Sequence, residues 1–286
     1  DDTEMQISHV IRGQEFISSM PNYLALYEAL GLDRPVFAHM PHIMNEQGNK
    51  KLGKRDGAKD VLDYIRDGYL PEALDSFIAT MGWNDGTEQE VFTMDELTAK
   101  FSLARVQRSG ARFDEKRLLW VNGHFIRELS LDELYSRVEF FWPETAKKAP
   151  QEYKKRVLAL AQDRLKTLRD LAGLTSYFFD EPVIDTSLIN DNKQLKKLTT
   201  SEQGSLLQAA RGGLSQNDSW TNDSIQQTLN NLLKSTGEKP GTLFSLIRIS
   251  TTWAPFSPQL NDTLMLLGKD KTLARIKAAI DHLNQA

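Results

Sequence analysis

From residue 59 to the C-terminus, apolar residues recur almost throughout at helical spacing, and this pattern restricts the chain to a mainly α-helical fold. Two signatures within it, Thr93-x-x-Glu96 and Ser130-x-x-Glu133, are typical of capping boxes, in which both side chains satisfy backbone N–H groups at a helix start. Prolines and glycines mark further helix ends. The sequence predicts helices over residues 60–66, 71–82, 152–172, 258–268 and 273–283, and loops at residues 212–213 and 215–223.

The beginning of the chain has a different pattern. Residues 5–11 alternate loosely between polar and apolar side chains and end in Val-Ile, which favours a buried strand. Residues 21–30 have helical spacing that stops at Gly31, and residues 36–40 lie between two prolines as a second short strand. Together they predict the closing part of a parallel α/β sheet.

The composition is that of an ordinary folded protein. Of 286 residues, 40% are hydrophobic and 26% charged, and the length suits two or three domains. The absence of cysteine excludes disulfides and thiolate metal sites and makes the cytoplasm the expected compartment. No apolar stretch approaches the roughly 18 residues of a membrane helix. The net charge of −4 argues mildly against nucleic-acid binding, but phosphate binding follows local basic patches, which occur near residues 147, 154, 164 and 193.

Residues 51–57, KLGKRDG, carry the strongest local signal for chemistry. Two lysines and an arginine lie beside two glycines that let the backbone bend and approach a ligand closely. Lysine is a compact positive charge and arginine presents a rigid fork of donors, so such a loop suits a polyphosphate. A solvated surface loop is the alternative interpretation of a short basic run.

Further motifs surround this loop: HVIRGQEF at 9–16, YEALG at 27–31, FAHMP at 37–41, GYLPEAL at 68–74 and MGW at 81–83. The ordered series resembles the glutamyl-tRNA synthetases, a branch of the class I aminoacyl-tRNA synthetases. Members of that family read much like HVIRGE, LYEALG, FAHLP, KLSKRDG, GYLPEAL and LLGW in the same order. A KP…LF…R pattern near residues 239–248 extends the resemblance towards the C-terminus.

The resemblance implies three parts. Residues 1–58 are expected to form a short α/β remnant of a class I catalytic domain of the Rossmann type, which includes the KLGKR loop. Residues 59–142 would form a helical stem-contact domain and residues 143–286 an α-helical anticodon-binding bundle. Helices at the C-terminal end are typical of the bacterial-type glutamyl enzyme, because glutaminyl relatives carry β-barrels there.

The resemblance also implies that a segment is missing. Family members begin with a nucleotide-binding half that carries a PSPTG-like opening and a HIGH-type signature, and neither occurs here. Asp1-Asp2 matches a pair of aspartates that lies late in the family's catalytic domain. We therefore expect the chain to be the C-terminal portion of a synthetase, without several of the ATP and glutamate contacts.

In the family, the glutamate carboxylate attacks the α-phosphate of ATP, and the tRNA ribose hydroxyl then attacks the activated carbonyl. Charge builds on oxygen in both steps, so positioned cations and Mg²⁺ are what a protein supplies. The resemblance therefore implies ATP with Mg²⁺, L-glutamate and tRNA(Glu) as partners. Whether tRNA(Gln) is also charged stays open, and a monomer away from membranes is expected.

Catalytic roles are carried over to the basic loop. Lys51 and Lys54 match the two lysines of the family's KLSKR, and Lys54 is expected to contact ATP and to stabilise the leaving pyrophosphate. Arg55 occupies the next basic position. Gly53 stands where the family usually has serine, so a hydroxyl is lost while the backbone N–H remains.

The segment after the first predicted strand is expected to bind the two small substrates. Arg12 matches the arginine of VIRG, which reaches the substrate glutamate in the family and can hold a carboxylate with two hydrogen bonds. An internal ion pair with Glu15 or a nearby aspartate is the alternative for Arg12. Glu15 and Phe16 match positions that line the ATP site, where a carboxylate accepts from ribose hydroxyls and a ring covers adenine.

The anticodon site is expected at the other end of the chain. Arg248 matches an arginine that meets anticodon bases in the family, and Arg164 lies in a helix that resembles one reading the third base. Ser257, Pro258 and Leu260 match a helix start that lies against these bases, where backbone donors and guanidinium planes can read unpaired bases.

Residues 253–256, WAPF, depart from the family's TG…GP pattern. Trp253 and Phe256 are either stacking platforms or core residues, and the core interpretation is favoured. His39-x-x-His42 could suggest a metal pair, but no third ligand accompanies it in sequence, so no protein-bound metal is predicted.

Two functional hypotheses lead. The first is a glutamate–tRNA ligase of which this chain is an inactive C-terminal portion, and the second is a stand-alone tRNA-binding module. A shortened enzyme that glutamylates a modified base is disfavoured by residues 150–286, because such relatives lack an anticodon domain. A generic helical scaffold would leave the ordered motifs unexplained.

Overall fold

The computed structural model describes residues 1–53, 59–254 and 257–284. Three residues singled out in the sequence, Lys54, Arg55 and Phe256, lie outside these ranges. The chain forms two compact units, residues 1–125 and 126–286. The mainly helical fold with a small parallel sheet is confirmed, whereas the division at residues 58 and 142 stays a prediction. Among the described residues, no helix combines the length and apolar character needed to cross a membrane.

The first unit contains the sheet. Strand β1 (His9–Gly13) pairs in parallel with β2 (Val36–Met40), with His9 opposite Val36 and Gly13 opposite Met40. Helix α1 (Met20–Leu30) connects them and ends at Gly31, whose φ of 63° is the left-handed conformation that glycine adopts without steric cost. The predicted helix and second strand are therefore confirmed.

The first strand was predicted to begin too early. Residues 1–6 turn instead, because the N–H of Met5 donates to the carbonyl of Asp1 at 2.7 Å and the N–H of Ile7 to that of Asp2 at 2.9 Å. These local hydrogen bonds satisfy backbone groups that a strand would have paired with a neighbour. Loose alternation alone does not reveal such a turn.

Four helices complete the first unit, and the last of them crosses into the second: α2 (Val61–Arg66), α3 (Pro71–Thr80), α4 (Met94–Lys100) and α5 (Glu115–Glu128). The capping boxes of Thr93 with Glu96, before α4, and of Ser130 with Glu133, before the next helix, are both present. Tyr69, Phe77 and Leu118 form the centre of one buried cluster.

The second unit is a helical bundle. Its helices are α6 (Leu131–Arg137), α7 (Gln151–Ala161), α8 (Asp170–Phe179), α9 (Ser187–Asn190), α10 (Thr200–Ser215), α11 (Asn222–Thr236), α12 (Pro240–Thr252), α13 (Leu260–Leu267) and α14 (Lys269–Leu283). Helices α10 to α14 surround one continuous core. The last two predicted helices exist, although α13 begins two residues later and α14 four residues earlier than expected.

The long helix predicted over 152–172 is wrong. Helix α7 ends at Ala161, a short 3₁₀ turn follows, and Leu165 is extended and fully buried. The amide of Gln162 donates to the carbonyl oxygens of Ile126 and Leu129 at 3.0 and 2.9 Å. The carboxylate of Asp170 then accepts the backbone N–H groups at 166 and 167, which starts α8.

The loop predicted at Gly212-Gly213 is also wrong, because both residues lie inside α10. A Cβ atom on Gly213 would lie 3.1 Å from Cδ2 of Leu232 on α11, so this glycine permits the two helices to approach closely. The chain does leave the helix at Gln216, and α11 starts after Thr221. The second predicted loop is thus confirmed over most of its length.

Candidate functional site

Two of the residue sets predicted from the sequence come together near β1. The side chain of Glu15, just beyond the strand, lies with Oε1 3.7 Å from Nζ of Lys51 and Oε2 3.6 Å from Nδ1 of His42. The start of the basic loop therefore reaches the segment that was expected to bind ATP. The position of Lys51 is set by a bridge between its backbone and that of Met44.

The carboxylate of Glu15 folds back over Gly13. A Cβ atom on Gly13 would lie only 2.1 Å from Oε2 of Glu15, so only glycine leaves room for this conformation. A backbone hydrogen bond is the main cause that lowers the pKa of Glu15, and electrostatic attraction to Lys51 and, when it is protonated, to His42 adds to it. Glu15 is therefore an ionised acceptor at neutral pH.

Arg12 is surrounded by aromatic rings. Its guanidinium lies 4.7 Å from the ring centroid of Tyr23, 5.1 Å from that of Phe16 and 5.4 Å from that of Phe37. Such faces attract a cation without neutralising it. Arg12 makes no ion pair with a carboxylate among the described residues, so the internal ion pair that was the alternative is not observed there. Its charge remains available to an anionic ligand.

Arg12 also contacts two residues, His39 and Met20, for which the sequence predicted no role in substrate binding. Nε of Arg12 donates to Nε2 of His39 at 3.3 Å, and the sulfur of Met20 lies 3.1 Å from Nη2. His39 and His42 thus contact Arg12 and Glu15 respectively. No group of three His, Asp or Glu side chains within the described ranges could hold a metal ion. FAHMP was recognised as a family motif, but the two histidines of FAHMPH were considered individually only as a possible metal pair.

A second group of charged side chains lies in the helical unit. Arg248 projects from α12, and its Nε is buried without a hydrogen-bond partner in the described part of the chain. Burial lowers the pKa of Arg248, and the nearby positive charge of Arg164 lowers it further. Arg164 stands in the break between α7 and α8. The positive charges of Arg248 and Arg164, which are far apart in sequence, therefore act on each other in the folded chain.

Tyr177 belongs to this group and was not found from the sequence. It lies on α8 with 1% of its surface exposed. Burial raises the pKa of Tyr177 far above its usual range, although the charges of Arg248 and Arg164 oppose the rise. The hydroxyl therefore stays protonated. In the sequence SYFF, nothing distinguishes it from an ordinary aromatic core residue.

Arg275 positions both α8 and α12. It is 2% exposed, and its Nη1 donates to the carbonyl oxygens of Tyr177 at 3.0 Å and Thr251 at 2.9 Å. Its Nη2 donates to the carbonyl oxygen of Asp180 at 2.8 Å, and Nε lies 3.2 Å from Glu181. One buried guanidinium thus joins the C-terminal ends of the helices that carry Tyr177 and Arg248.

The three residues predicted from the sequence around the start of α13 are buried rather than open. Ser257 is 3% exposed and Leu260 4%, and Pro258 between them is also buried. Trp253 is confirmed as a core residue, since it packs into the main cluster of the helical unit. It takes a φ of 42° at the end of α12, a left-handed conformation that is costly for any residue other than glycine.

The two regions match known families in the order in which they occur. Residues 1–120 match the profile of the catalytic domain of class I tRNA synthetases (E and Q), and residues 133–280 match that of the anticodon binding domain. The latter covers more than half of the chain. The chain belongs to the anticodon binding domain family, and the named relatives that it resembles are glutamate–tRNA ligases.

These relatives are similar over nearly all of the chain. Glutamate–tRNA ligase 1 of Syntrophus aciditrophicus is 36% identical over 285 residues, which are 99% of this chain and 59% of that protein. The glutamate–tRNA ligase of Methylacidiphilum infernorum is 34% identical, covering 96% of this chain and 62% of that protein. The chain therefore spans about three fifths of the length of these ligases.

A solved glutamate tRNA ligase has the same fold. The glutamate tRNA ligase of Elizabethkingia meningosepticum, whose crystal structure was determined in complex with its amino acid, superposes with a TM-score of 0.83 at 29% identity. The superposition covers 99% of this chain and 59% of that one. The two units thus have the architecture of the corresponding part of a glutamate–tRNA ligase.

Proposed function

We propose that this chain is the C-terminal portion of a glutamate–tRNA ligase, which activates glutamate with ATP and transfers it to the 3′ end of tRNA(Glu). The observation that carries the proposal is the guanidinium of Arg12, held by three aromatic rings and paired with no carboxylate among the described residues. A preorganised, uncompensated cation suits the carboxylate of a substrate. The order of the catalytic and anticodon matches on one chain supports the same reaction.

In this proposal the residues near β1 hold the small substrates. Arg12 binds a carboxylate of glutamate, Glu15 accepts hydrogen bonds from the ribose hydroxyls of ATP, and Phe16, which is 42% exposed, covers adenine. One glutamate carboxylate oxygen attacks the α-phosphorus, and the bond from that phosphorus to pyrophosphate breaks. Glutamate is then an adenylate whose carbonyl the terminal ribose hydroxyl of tRNA attacks, releasing AMP.

Lys51, Lys54 and Arg55 supply positive charge to the leaving pyrophosphate. Each charged hydrogen bond formed mainly in the transition state would be worth roughly 1.5–3 kcal/mol, which corresponds to about tenfold to a few hundredfold in rate. Among the described residues, no group of three His, Asp or Glu side chains could hold Mg²⁺. The metal would arrive bound to the phosphates of ATP.

The helical unit reads the anticodon of tRNA(Glu). Arg248 and Arg164 offer guanidinium planes and donors to unpaired bases. Ser257, Pro258 and Leu260 are at the start of α13, and this helix start would lie against the same bases. Whether tRNA(Gln) is also accepted depends on contacts in this region. We expect a monomer that works in the cytoplasm.

The chain alone should not catalyse the first step, because family members place further ATP and glutamate contacts on the part that precedes it. Glutamate-dependent exchange between pyrophosphate and ATP should be undetectable with the purified chain. Exchange at a measurable rate would show that the residues of this chain suffice for the first step. It would contradict the proposal that the chain is a catalytically incomplete portion of the ligase.

A tRNA-binding module without ligase activity is the second candidate, and the match of residues 133–280 to the anticodon binding domain favours it. Binding of a tRNA(Glu) transcript should be compared with binding of a copy with an altered anticodon across a salt series. Weaker binding of the altered copy supports anticodon recognition by the helical unit. Equal, salt-labile binding of both would leave only general phosphate attraction and contradict it.

A further inference from the structure

The hydroxyl of Tyr177 is a buried polar group without a described hydrogen-bond partner. The residue is 1% exposed, and its ring lies against that of Phe178 with centroids 4.6 Å apart. A buried hydroxyl without a partner lowers stability relative to phenylalanine of the same shape. Packing therefore explains the ring of Tyr177 but not its oxygen.

The surroundings of this hydroxyl are rich in donors. Arg248 lies on α12, whose last turn is joined to the carbonyl oxygen of Tyr177 through Arg275. The charges of Arg248 and Arg164 oppose the rise in the pKa of Tyr177, and Nε of Arg248 is likewise buried without a partner in the described ranges. Guanidinium groups only donate hydrogen bonds, and the tyrosine O–H also has a proton to donate. Of these three side chains, only the tyrosine oxygen can accept a hydrogen bond, so the cluster has more donors than acceptors.

The backbone beneath the cluster is held firmly. Arg275 joins the carbonyl oxygens of Tyr177 and Thr251 through a single nitrogen, which fixes the end of α8 against the last turn of α12. Arg248 lies one helical turn before Thr251 on α12. The backbone positions of Tyr177 and Arg248 are thus fixed relative to each other by the fold.

We propose that Tyr177 is a specificity-determining residue for tRNA, whose hydroxyl, together with the guanidinium of Arg248, receives the acceptor atoms of one unpaired anticodon base. The ligand is a base edge that presents a ring nitrogen and a carbonyl oxygen. Because Tyr177 is 1% exposed, the proposal requires the side chain of Arg248, which is only partly buried, to move when the base binds. This inference rests on the proposed anticodon recognition and adds to it a residue outside the family resemblance.

Tyr177→Phe removes the oxygen and keeps the ring. Tyr153→Phe is the matched control, because the hydroxyl of Tyr153 does have partners, the carbonyl oxygens of Leu266 at 3.2 Å and Phe178 at 3.4 Å. Affinities of the whole chain should be measured for a tRNA(Glu) transcript and for three copies that each carry one changed anticodon base. Melting temperatures of all three proteins should be recorded alongside.

Tyr177→Phe should weaken binding of the tRNA(Glu) transcript about three- to tenfold, the range expected for one hydrogen bond. It should weaken binding of one of the changed copies less than twofold, because that copy already lacks the recognised edge. The melting temperature should stay equal to that of the wild type or rise. Tyr153→Phe should instead lower the melting temperature and leave the discrimination between transcripts unchanged.

Three results would overturn the role of Tyr177. Equal weakening of all four RNAs would identify the acceptor as a backbone phosphate. Unchanged discrimination by Tyr177→Phe, with a wild type that does discriminate, would refute this inference alone and leave anticodon recognition intact. A wild-type chain that binds all four RNAs equally would refute the proposed anticodon recognition itself and this role with it.

Discussion

At the scale of single residues, the carboxylate of Glu15 depends on the absence of a side chain at Gly13. The carboxylate occupies the space where a Cβ atom would stand, and from there it reaches Lys51 and His42. The motif VIRG indicated the arginine from the sequence. The reason for the glycine beside it became visible only in the structure, where the side chain of Glu15 folds back over the backbone of Gly13.

Gly13→Ala should displace this carboxylate and raise the pKa of Glu15 towards its ordinary value of 4.5. The pKa can be followed by a pH titration of the side-chain carboxyl carbon by NMR. Gly173→Ala is the control, since a Cβ atom there meets nothing within 4 Å and Glu15 should titrate as in the wild type. An unchanged pKa in Gly13→Ala would show that the carboxylate does not need this position.

The sign of the pH effect follows from the direction of the shift. Because the pKa of Glu15 is lower in the folded chain than in the unfolded chain, its contribution to stability is present above about pH 4.5 and is lost as the pH falls through the folded pKa. Asp85 behaves in the same way, with a pKa lowered to about 2, mainly by the hydroxyl of Thr87. The wild type should therefore lose these contributions only in acid.

At the scale of helices and strands, patterns that depend on adjacent residues were predicted well. The bounds of β2 and the capping boxes of Thr93 and Ser130 follow from local hydrogen-bonding needs and local prolines. The break after Ala161 could not be found this way. Leu165 keeps helical spacing in sequence, but Gln162 and Asp170 bind backbone groups of other segments or of the break itself.

The adjacent glycines of α10 test how helix packing overrides local preference. Gly212→Ala should stabilise the chain by about 0.5–1 kcal/mol, because alanine favours the helix and a Cβ atom there meets nothing within 4 Å. Gly213→Ala should fall short of that gain by about 1 kcal/mol or more, because its Cβ presses on Leu232. Denaturant unfolding of both variants gives the comparison, and equal gains would contradict close packing of α10 on α11.

Arg275 offers a second test at this scale, since it joins three helices. Arg275→Met should lower the free energy of unfolding by about 2–4 kcal/mol, because it leaves the carbonyl oxygens of Tyr177 and Thr251 unsatisfied in the interior. Glu181→Gln should cost less than about 1 kcal/mol, because the Glu181 side chain is 72% exposed. Similar losses from the two variants would mean that the ion pair, rather than the carbonyl contacts, stabilises the joint.

At the scale of the whole molecule, the two units divide the proposed work between them. The first carries the residues expected to bind the small substrates and the second those expected to read the anticodon. The net charge of −4 gives no indication of this, since recognition of RNA is carried by local groups of arginine and lysine.

Salt should separate general attraction to RNA from recognition of its bases. Between about 50 and 200 mM salt, the affinity for tRNA(Glu) should fall steeply, because cations that neutralise phosphates release counterions. The ratio of affinities for tRNA(Glu) and its anticodon-changed copy should change less than about twofold, because both RNAs share the same phosphates. Filter binding across the salt series measures both quantities. A ratio that collapses with salt would place the discrimination in charge rather than in base contacts.

The sequence by itself determined the fold class, several helix ends and the order of the motifs, because these depend on periodicity and on hydrogen bonds between near neighbours. It also singled out Arg12 and Arg248. The tertiary structure alone decided which side chains surround them. Three aromatic rings meet at Arg12, and Tyr177 and Arg164 meet near Arg248, because packing brings together residues that no local pattern links.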